Sequence, residues 1–405
     1  MRIGIFSESY KPLINGVSTS LETHIAELER LGHTVFVFTS NYPNYTDERP
    51  GVFRFPSINS YVEPDYVLPI PISRRIHDAI PGLKLDIVHS QSPFLLGKMA
   101  RRVARRFKIP HVSTNHTLYS EYTHYFPLAP PALIRAFLAR WMHEFYNTCD
   151  YVTVPSRLTR SHLIDHYGVT APIDVVPTGI PEPPYILTSR DETKERLGLP
   201  AGAKVLLYVG RLAPEKNLFM LLDAFAKIAA VRSDAYLVVA GSGKIGGVLK
   251  KRADSLGIGD RTVFTGFIQR TKLDPLYRAA EAFLFPSKTE TQGLAVGEAL
   301  AAGTPAVVVN AGGAPESVQD GVDGFLVNDS ADQISEHALR LLQDGELRRK
   351  MSEAARANAT HVRPPMIALR ILAIYERLVF GEVRTAGAIL QQNSGEEPAE
   401  PTSSG

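Results

Sequence analysis

Residues 204–210 read KVLLYVG, an apolar run of strand length, and a helical pattern follows near 217–231. The same alternation opens the first half of the chain, where RIGIF at 2–6 precedes a helical pattern near 17–31. Short apolar runs that alternate with longer amphipathic stretches are typical of a parallel sheet with helices on both faces. Because the pattern starts again at 204, the sequence predicts an α/β protein with two doubly wound, Rossmann-like domains.

The domain boundaries are predicted from the same alternation. The first domain covers 1–180, and a proline-rich polar connection leads into the second domain, 181–364. A helix at about 365–382 is expected to pack back on the first domain, and the Ser-, Gly-, Glu- and Pro-rich segment 386–405 is expected to be a disordered tail. Open sheets bind ligands beyond the carboxyl ends of their strands, so we expect the two domains to face a central cleft.

Composition excludes several classes of protein. Lys and Arg number 44 against 42 Asp and Glu, and the net charge of +2 is too small to direct the whole molecule to nucleic acid. Cys149 is the only cysteine, so no intramolecular disulfide and no cysteine-based metal site can form. The N-terminus does not read as a signal peptide, and no apolar stretch approaches the roughly 18 residues needed to span a bilayer. We expect a cytoplasmic protein whose membrane contact, if any, is peripheral.

Two loops after strands carry groups suited to an anion. In SESYKPLINGVSTS, Gly16 precedes a helix whose N-terminal N–H groups can approach a phosphate, although an ordinary turn is the alternative. In YVGRLAPEKNL, Arg211 and Lys216 lie five positions apart, which suits the two phosphates of a diphosphate. The alternative is that Glu215 simply pairs with either cation at the surface.

The segment FPSKTETQGLAVGEALAAGTPAV contains two glutamates and a predicted helix start. The N–H groups of Gly293, Leu294 and Ala295 can hold a phosphate. Glu298, about one turn into the helix, can accept hydrogen bonds from two vicinal hydroxyls of a ribose, and Glu290 can reach a sugar ring. A solvated position on the helix is the alternative for Glu298.

The motifs NGV, GRLAPEKN, GSGK, TGF and ETQGLAVGE occur in an order that resembles the retaining GT-B glycosyltransferases of family four, over nearly the whole chain. The resemblance implies a nucleotide-sugar donor held mainly by the second domain, retention of anomeric configuration and no obligatory metal cofactor. Within the family, ETQG and HTLYSEYTHY are similar to diacylglycerol glucosyltransferases. That similarity implies UDP-glucose as donor and 1,2-diacylglycerol as lipid acceptor. GDP-mannose with phosphatidylinositol or another lipid, a soluble sugar acceptor, and non-catalytic nucleotide-sugar binding are the alternatives.

The family pattern also implies roles for individual residues. Arg211 and Lys216 would bind the diphosphate, Glu298 the ribose and Glu290 the donor hexose, while Gly16 would complete the phosphate site on closure. The other donor-binding positions implied by the pattern are Gly293, Leu294, Ala295 and Ile268, which follows TGF directly.

His116, in STNHTLYSEY, matches the family's histidine at the sugar-transfer centre, although a lone histidine is more often a surface or packing residue. The sequence offers no strong candidate for a covalent nucleophile. The expected path is therefore front-face attack, in which the departing phosphate oxygen takes the acceptor's proton while Arg211 and Lys216 carry the charge. His116 would then position the donor sugar or the acceptor.

The stretch GSGKIG at 241–246 fits G-x-G-x-x-G after a strand, which could indicate a dinucleotide site. The acidic residue that should close the following strand is missing, because Asp260 precedes TVFTGF. The sequence also lacks Asp-x-Asp, the usual carboxylate pair of metal-dependent transferases. We therefore predict a loop that borders a nucleotide site, without a nicotinamide.

Two predicted helices of the first domain, within 98–110 and 132–146, combine basic and apolar residues. Basic side chains beside exposed apolar ones favour an anionic bilayer, and each cation contributes up to about 1 kcal/mol there. The alternative is that the apolar faces are core and the arginines are merely solvated. The residues predicted to lie on the membrane or acceptor side are Arg101, Arg102, Arg105, Arg106, Arg135 and Trp141.

Overall fold

The computed structural model of the protein describes residues 1–60, 66–119, 130–181 and 188–386. They form two units, one of residues 1–179 with the chain from 364 onward, and one of residues 180–363. Both units are parallel sheets covered by helices, so the predicted α/β class with two Rossmann-like halves is confirmed. In the described ranges, no helix is both long and apolar enough to cross a bilayer.

The strands of the first unit are β1 (Arg2–Ser7), β2 (Thr34–Ser40), β3 (Val52–Phe55), β4 (Ser57–Asn59), β5 (Val67–Pro69), β6 (Ile87–Ser90), β7 (His111–Thr114), β8 (Tyr151–Val154) and β9 (Ile173–Val175). As far as the described residues go, seven of them form a parallel sheet in the order β3-β2-β1-β6-β7-β8-β9, while β4 and β5 pair antiparallel. The order reverses between β1 and β6. The loops after these two strands therefore lie side by side, at the place where such sheets bind ligands.

The helices of the first unit are α1 (Gly16–Arg30), α2 (Arg74–Leu83), α3 (Leu95–Phe107), α4 (Pro131–Tyr146), α5 (Arg157–Tyr167) and, at the far end of the chain, α13 (Pro364–Phe380). The apolar side of α13 packs with α1 and β1, where Ile371 and Tyr375 share a buried cluster with Leu21. Glu376 accepts hydrogen bonds from the N–H groups of residues 384–386. Ala386 is buried, so the ordered chain includes the first residue of the predicted tail, whose remainder lies outside the described residues.

Buried histidines line the sheet of the first unit. His89 bonds to the Tyr375 hydroxyl through Nδ1 and to Thr114 through Nε2, which ties α13 to the sheet. His111 Nε2 bonds to Ser90, and His24 lies buried on α1 with Nε2 unpartnered among the described residues. Burial holds the pKa of each below its ordinary value of 6.5, to about 4 for His24 and for His111. The folded unit therefore keeps these imidazoles neutral.

Acidification is expected to destabilise this unit at pH values where most carboxylates are still ionised. Between pH 6.5 and about 4, these histidines bind protons in the unfolded chain but not in the folded one. The free energy of unfolding therefore decreases as the pH decreases, by up to about 1.4 kcal/mol per pH unit for each histidine. Thermal unfolding at pH 7.5 and pH 5.0 measures the effect, and His24→Leu should reduce the difference in Tm. An equal difference in the variant and the parent would show that His24 does not contribute.

The strands of the second unit are β10 (Lys204–Val209), β11 (Ala235–Ala240), β12 (Thr262–Gly266), β13 (Ala282–Phe285), β14 (Ala306–Val309) and β15 (Gly324–Val327). Its helices are α6 (Arg190–Arg196), α7 (Leu218–Val231), α8 (Gly246–Ser255), α9 (Asp274–Ala279), α10 (Leu294–Ala301), α11 (Ala331–Gln343) and α12 (Gly345–Asn358). The strands pair in parallel in the order β12-β11-β10-β13-β14-β15. Because the order reverses between β10 and β13, the loop with Arg211 and the loop with Glu290 are neighbours.

Candidate active site

The two predicted phosphate-binding cations follow β10, and each is paired with a carboxylate. Arg211 Nη2 donates to Glu215 Oε1 at 2.6 Å, so Glu215 does pair with a cation as the alternative interpretation held. Lys216 Nζ donates instead to Glu290 Oε1 at 2.5 Å, across to the loop after β13. The side chain of Lys216 is 12% exposed, whereas that of Arg211 is 46% exposed. Lys216 is therefore the more enclosed of the two cations.

The Lys216–Glu290 pair brings together the residues predicted to bind the diphosphate and the hexose. An ammonium carries three N–H donors, and Glu290 occupies one of those of Lys216. The remaining donors can bind a phosphate oxygen while the pair persists. A second cation, Arg211, lies on the same loop after β10. Together the two cations can stabilise negative charge that develops on a leaving diphosphate.

The GSGKIG loop packs directly against the loop that carries Arg211. The N–H of Leu212 donates to the carbonyl of Ser242 at 2.9 Å. A Cβ added to Gly241 would lie 1.8 Å from the carbonyl oxygen of Gly210, and one added to Gly243 would lie 2.1 Å from that of Leu212. Gly241 and Gly243 are therefore required by contact between two backbones, and the loop supports the base of the predicted phosphate site.

Helix α10 begins directly after the loop that follows β13. Its N-cap is Gly293, whose φ of +75° is in the left-handed region and whose Cβ would lie 2.7 Å from that of Ala314. Leu294 and Ala295 form the first turn, where backbone N–H groups lack intrahelical acceptors. The structure thus places these three residues at a helix N-terminus, the arrangement that suits a phosphate oxygen.

A double glycine after β14 supports the Glu290 loop, and sequence reasoning missed it. The N–H of Gly313 donates to the carbonyl of Glu290 at 2.6 Å. A Cβ on Gly312 would lie 2.8 Å from the same oxygen and 2.9 Å from that of Lys288. The signal that could have revealed this support is the pair of glycines that follows AVVVN after one intervening alanine.

Glu298 lies on α10 and is not a solvated helix position, so the alternative interpretation of this residue is wrong. Its side chain is 15% exposed and accepts hydrogen bonds from Arg270 Nε at 2.5 Å and from the Tyr277 hydroxyl at 2.9 Å. Arg270 follows the half-buried Ile268 by two residues, in the segment after β12. Sequence reasoning identified Glu298 and Ile268 but missed Arg270 and Tyr277.

Gly16 is the first residue of α1 in the first unit. Asn15 caps the helix, because its side chain accepts from the N–H of Ser18 and the Ser18 hydroxyl accepts from the N–H of Asn15, each at 2.9 Å. This capping box by itself accounts for a turn at this position. The further role of Gly16, completing a phosphate site on closure, stays a prediction.

His116 follows β7 and is held by Gln91 from the loop after β6. Its Nε2 and Gln91 Oε1 are 2.8 Å apart. Burial, together with the neighbouring His24, lowers the pKa of His116 to about 3, so the imidazole is neutral at physiological pH. A neutral ring can orient a sugar hydroxyl by hydrogen bonding but cannot supply a cation.

Helix α3 carries four of the arginines predicted to lie on the membrane or acceptor side. Most of its apolar side chains, such as Met99 and Val103, are buried under the sheet, as the alternative interpretation held, whereas Leu95 and Phe107 at its two ends are 40% and 36% exposed. Arg101 and Arg105 line a groove of about 750 Å³ whose other residues include Asp86, which directly precedes β6. The groove also includes Pro110 and Asp150, which directly precede β7 and β8. These two arginines thus lie at the end of the sheet opposite to His116, while Arg102 and Arg106 are exposed on α3.

Helix α4 presents apolar side chains to solvent. Trp141 is half-buried and donates its indole N–H to the carbonyl of Pro93 in the loop after β6. The helix runs from the loop after β7 back toward β8, so its first turns lie at the edge where the strands end. There Leu133 and Phe137 are 65% and 60% exposed, and Arg135 is exposed beside them.

The described part of the chain has no group of three or more His, Cys, Asp or Glu placed to hold a metal ion.

Comparison with known proteins assigns the family. Residues 14–182 match the model described as Glycosyltransferase Family 4, and residues 189–358 match the model described as Glycosyl transferases group 1. An alpha-monoglucosyldiacylglycerol synthase of Streptococcus pneumoniae is 37% identical over 316 residues, which cover 76% of this chain and 70% of the relative. The chain belongs to glycosyltransferase family 4. The resemblance read from the sequence motifs is thereby confirmed.

The names of other relatives of this family 4 glycosyltransferase state different activities. An alpha-monoglucosyldiacylglycerol synthase of Acholeplasma laidlawii is 32% identical, covering 88% of this chain and 92% of the relative. A GDP-mannose-dependent alpha-mannosyltransferase of Corynebacterium glutamicum is 27% identical, covering 81% of this chain and 77% of the relative. The family therefore establishes sugar transfer as the activity of this enzyme, and leaves donor and acceptor to be proposed.

Solved structures confirm the GT-B fold of the glycosyltransferase. Sucrose-phosphate synthase from Thermosynechococcus elongatus has a TM-score of 0.74 at 21% identity, covering 94% of this chain and 99% of that one. Anabaena HepE, solved in complex with UDP-glucose, has a TM-score of 0.69 at 18% identity, covering 91% and 98%. At these identities the likeness concerns the fold alone.

Proposed function

We propose that this enzyme transfers glucose from UDP-glucose to 1,2-diacylglycerol, with retention of anomeric configuration, at the inner face of the cytoplasmic membrane. The proposal rests above all on its similarity to two alpha-monoglucosyldiacylglycerol synthases, at 37% and 32% identity over 76% and 88% of the chain. The nucleotide-sugar part is supported by paired cations and a helix N-terminus around the neighbouring ends of β10 and β13.

The proposed reaction assigns a role to each group in the site. The acceptor hydroxyl oxygen bonds to the anomeric carbon on the face from which UDP departs, and the bond from that carbon to the β-phosphate oxygen breaks. The acceptor proton passes to the departing phosphate, so neither a covalent intermediate nor a metal is needed. Lys216 and Arg211 stabilise the charge on the leaving group, Glu290 holds the hexose and Glu298 the ribose, and His116 orients the donor sugar or the acceptor.

The proposed membrane surface is the start of α4, where Leu133 and Phe137 are exposed next to Arg135. Ile72, at 75% exposure, precedes the exposed Arg74 at the start of α2, which adds a second apolar and basic element in the same unit. Apolar side chains that can enter a bilayer, combined with arginines that meet anionic head groups, suit a peripheral protein. Arg101 and Arg105 are farther from the strand-end loops and are expected to contribute less.

The proposal can be tested by supplying the purified full chain with vesicles of phosphatidylglycerol and diacylglycerol and with either radiolabelled UDP-glucose or labelled GDP-mannose. We expect label from UDP-glucose in the organic phase, in a product cleaved by an α-glucosidase and formed equally well with EDTA. Label from GDP-mannose would favour the second candidate, mannosyl transfer, which the Corynebacterium relative supports. Transfer only to water-soluble sugars, or binding without turnover, would contradict the proposal.

The membrane surface makes a separate prediction. Replacing Leu133 and Phe137 by Ser should weaken binding to phosphatidylglycerol vesicles by at least tenfold, because each buried side chain contributes about 1.5–3 kcal/mol. Co-sedimentation at physiological salt measures the change. Replacing Arg101 and Arg105 by Gln is the matched control and should have a smaller effect. A larger loss in that control would place the membrane contact on the α3 groove instead.

A further inference from the structure

Arg270 and Tyr277 hold the Glu298 carboxylate from two sides. Arg270 Nε donates to Oε1 and the Tyr277 hydroxyl donates to Oε2, so among the described residues each oxygen has one partner. Burial and the nearby Glu298 carboxylate raise the pKa of Tyr277 well above its ordinary value, which keeps its hydroxyl a donor. Two ionised oxygens offer about four acceptor positions in all, so about two remain for a ligand.

Arg270 also has a donor group that no described residue accepts from. Its Nη2 is buried and has no hydrogen-bond partner among the described residues, although its Nε is bonded to Glu298. A buried N–H without an acceptor is unfavourable, and such groups in native proteins usually have a reason. Arg270 is the first residue of a 3-10 turn, Arg270–Lys272, in the segment after β12. A ligand that enters beside Glu298 would meet this donor.

We propose that Arg270 is a positioning residue of the nucleotide site, which fixes the Glu298 carboxylate for the two ribose hydroxyls and offers its Nη2 to the bound nucleoside. This inference rests on the proposed nucleotide-sugar activity and names two further members of the ribose subsite, Arg270 and Tyr277. The geometric reason is that a planar guanidinium and a phenol fix both the rotamer and the tilt of the carboxylate. The charge of Arg270 also offsets that of Glu298, which reduces its repulsion of a diphosphate nearby.

The experiment compares the binding of UDP and 2′-deoxy-UDP by calorimetry in the parent, in Arg270→Ala and in Arg270→Gln. In the parent, loss of the 2′-hydroxyl should weaken binding about tenfold, because a hydrogen bond to a carboxylate is lost. In Arg270→Ala, UDP should bind about tenfold more weakly, and the 2′-deoxy penalty should fall to about twofold. In turnover assays the KM for the donor should rise more than kcat falls.

Arg278→Ala is the matched control, because Arg278 forms a comparable pair with Asp274 in the same unit. It should leave the 2′-deoxy penalty at its parental value. Thermal unfolding checks that each variant is folded, and Arg270→Gln, which retains an N–H donor, provides a second test if the alanine variant is unstable. Parental penalties in a folded Arg270 variant would overturn the inference while leaving the proposed function intact. Failure of the parent to bind UDP or GDP would overturn both.

Discussion

Lys216→Ala is expected to reduce turnover by about 10²–10³-fold while the protein stays folded. Lys216 is the more enclosed of the two cations at the neighbouring strand ends and lies within 2.5 Å of Glu290. The substitution removes the positive charge that, in our proposal, stabilises the departing diphosphate, and it leaves Glu290 without its cation. The effect should therefore appear in kcat as well as in donor affinity, as measured by steady-state transfer to diacylglycerol.

Two companion variants separate charge from structure in this prediction. Lys216→Arg keeps the charge and should retain more activity than the alanine variant. Lys227→Ala removes a lysine of the same unit whose partner is the exposed Asp332, and should change the rate little. If Lys216→Ala transferred sugar at the parental rate, Lys216 would have no role at the diphosphate, and the site would have to be sought elsewhere.

Gly243→Ala is expected to cause the second large effect, through the backbone rather than through charge. The new Cβ would lie 2.1 Å from the carbonyl oxygen of Leu212, so the GSGKIG loop and the Arg211 loop could not keep their present contact. We expect a loss of stability of roughly 1–3 kcal/mol, as for other overpacked sites, and a loss of activity greater than the unfolded fraction explains.

Gly247→Ala is the matched control for this variant. Gly247 lies four residues away in α8, and a Cβ there would meet nothing within 4 Å. Alanine in a helix is favoured over glycine by about 0.5–1 kcal/mol, so this variant should be slightly stabilised and fully active. Denaturant unfolding and turnover, measured on both variants, test the pair. Equal behaviour of the two would show that the close contact at Gly243 has no functional consequence.

The sequence was sufficient for the fold class because hydrophobic periodicity is a local property. The apolar runs at 2–6 and 204–210 became β1 and β10, and the helix predicted near 217–231 became α7. Short or polar elements were missed, including α2, whose RRIHDAIPGL contains a proline near its end, and the brief helix α9. Their helical signals are weak because tertiary packing, rather than propensity, stabilises them.

Only part of the candidate site could be predicted from the sequence, for a related reason. The motif order identified Arg211, Lys216, Glu290 and Glu298 as one constellation, but not which of them touch. Glu290 pairs with Lys216 across 74 residues of sequence because β10 and β13 are neighbours in the sheet, and strand order is not encoded in local periodicity. Likewise, the sequence could not show how far the apolar side chains of α3 and α4 are exposed, because burial depends on the fold, and the larger exposures are on α4.

What the amino-acid sequence alone established is the family, the α/β architecture and the chemical types of the candidate site residues, because each is read from short stretches and their order along the chain. What depended on the folded chain is the set of contacts: Lys216 with Glu290, Arg270 and Tyr277 with Glu298, and Gly243 against Leu212. These contacts join segments that are distant in sequence, and their geometry is set by strand order and close packing of loops. A motif can therefore name the participants, but only the packed sheet brings them within hydrogen-bonding distance.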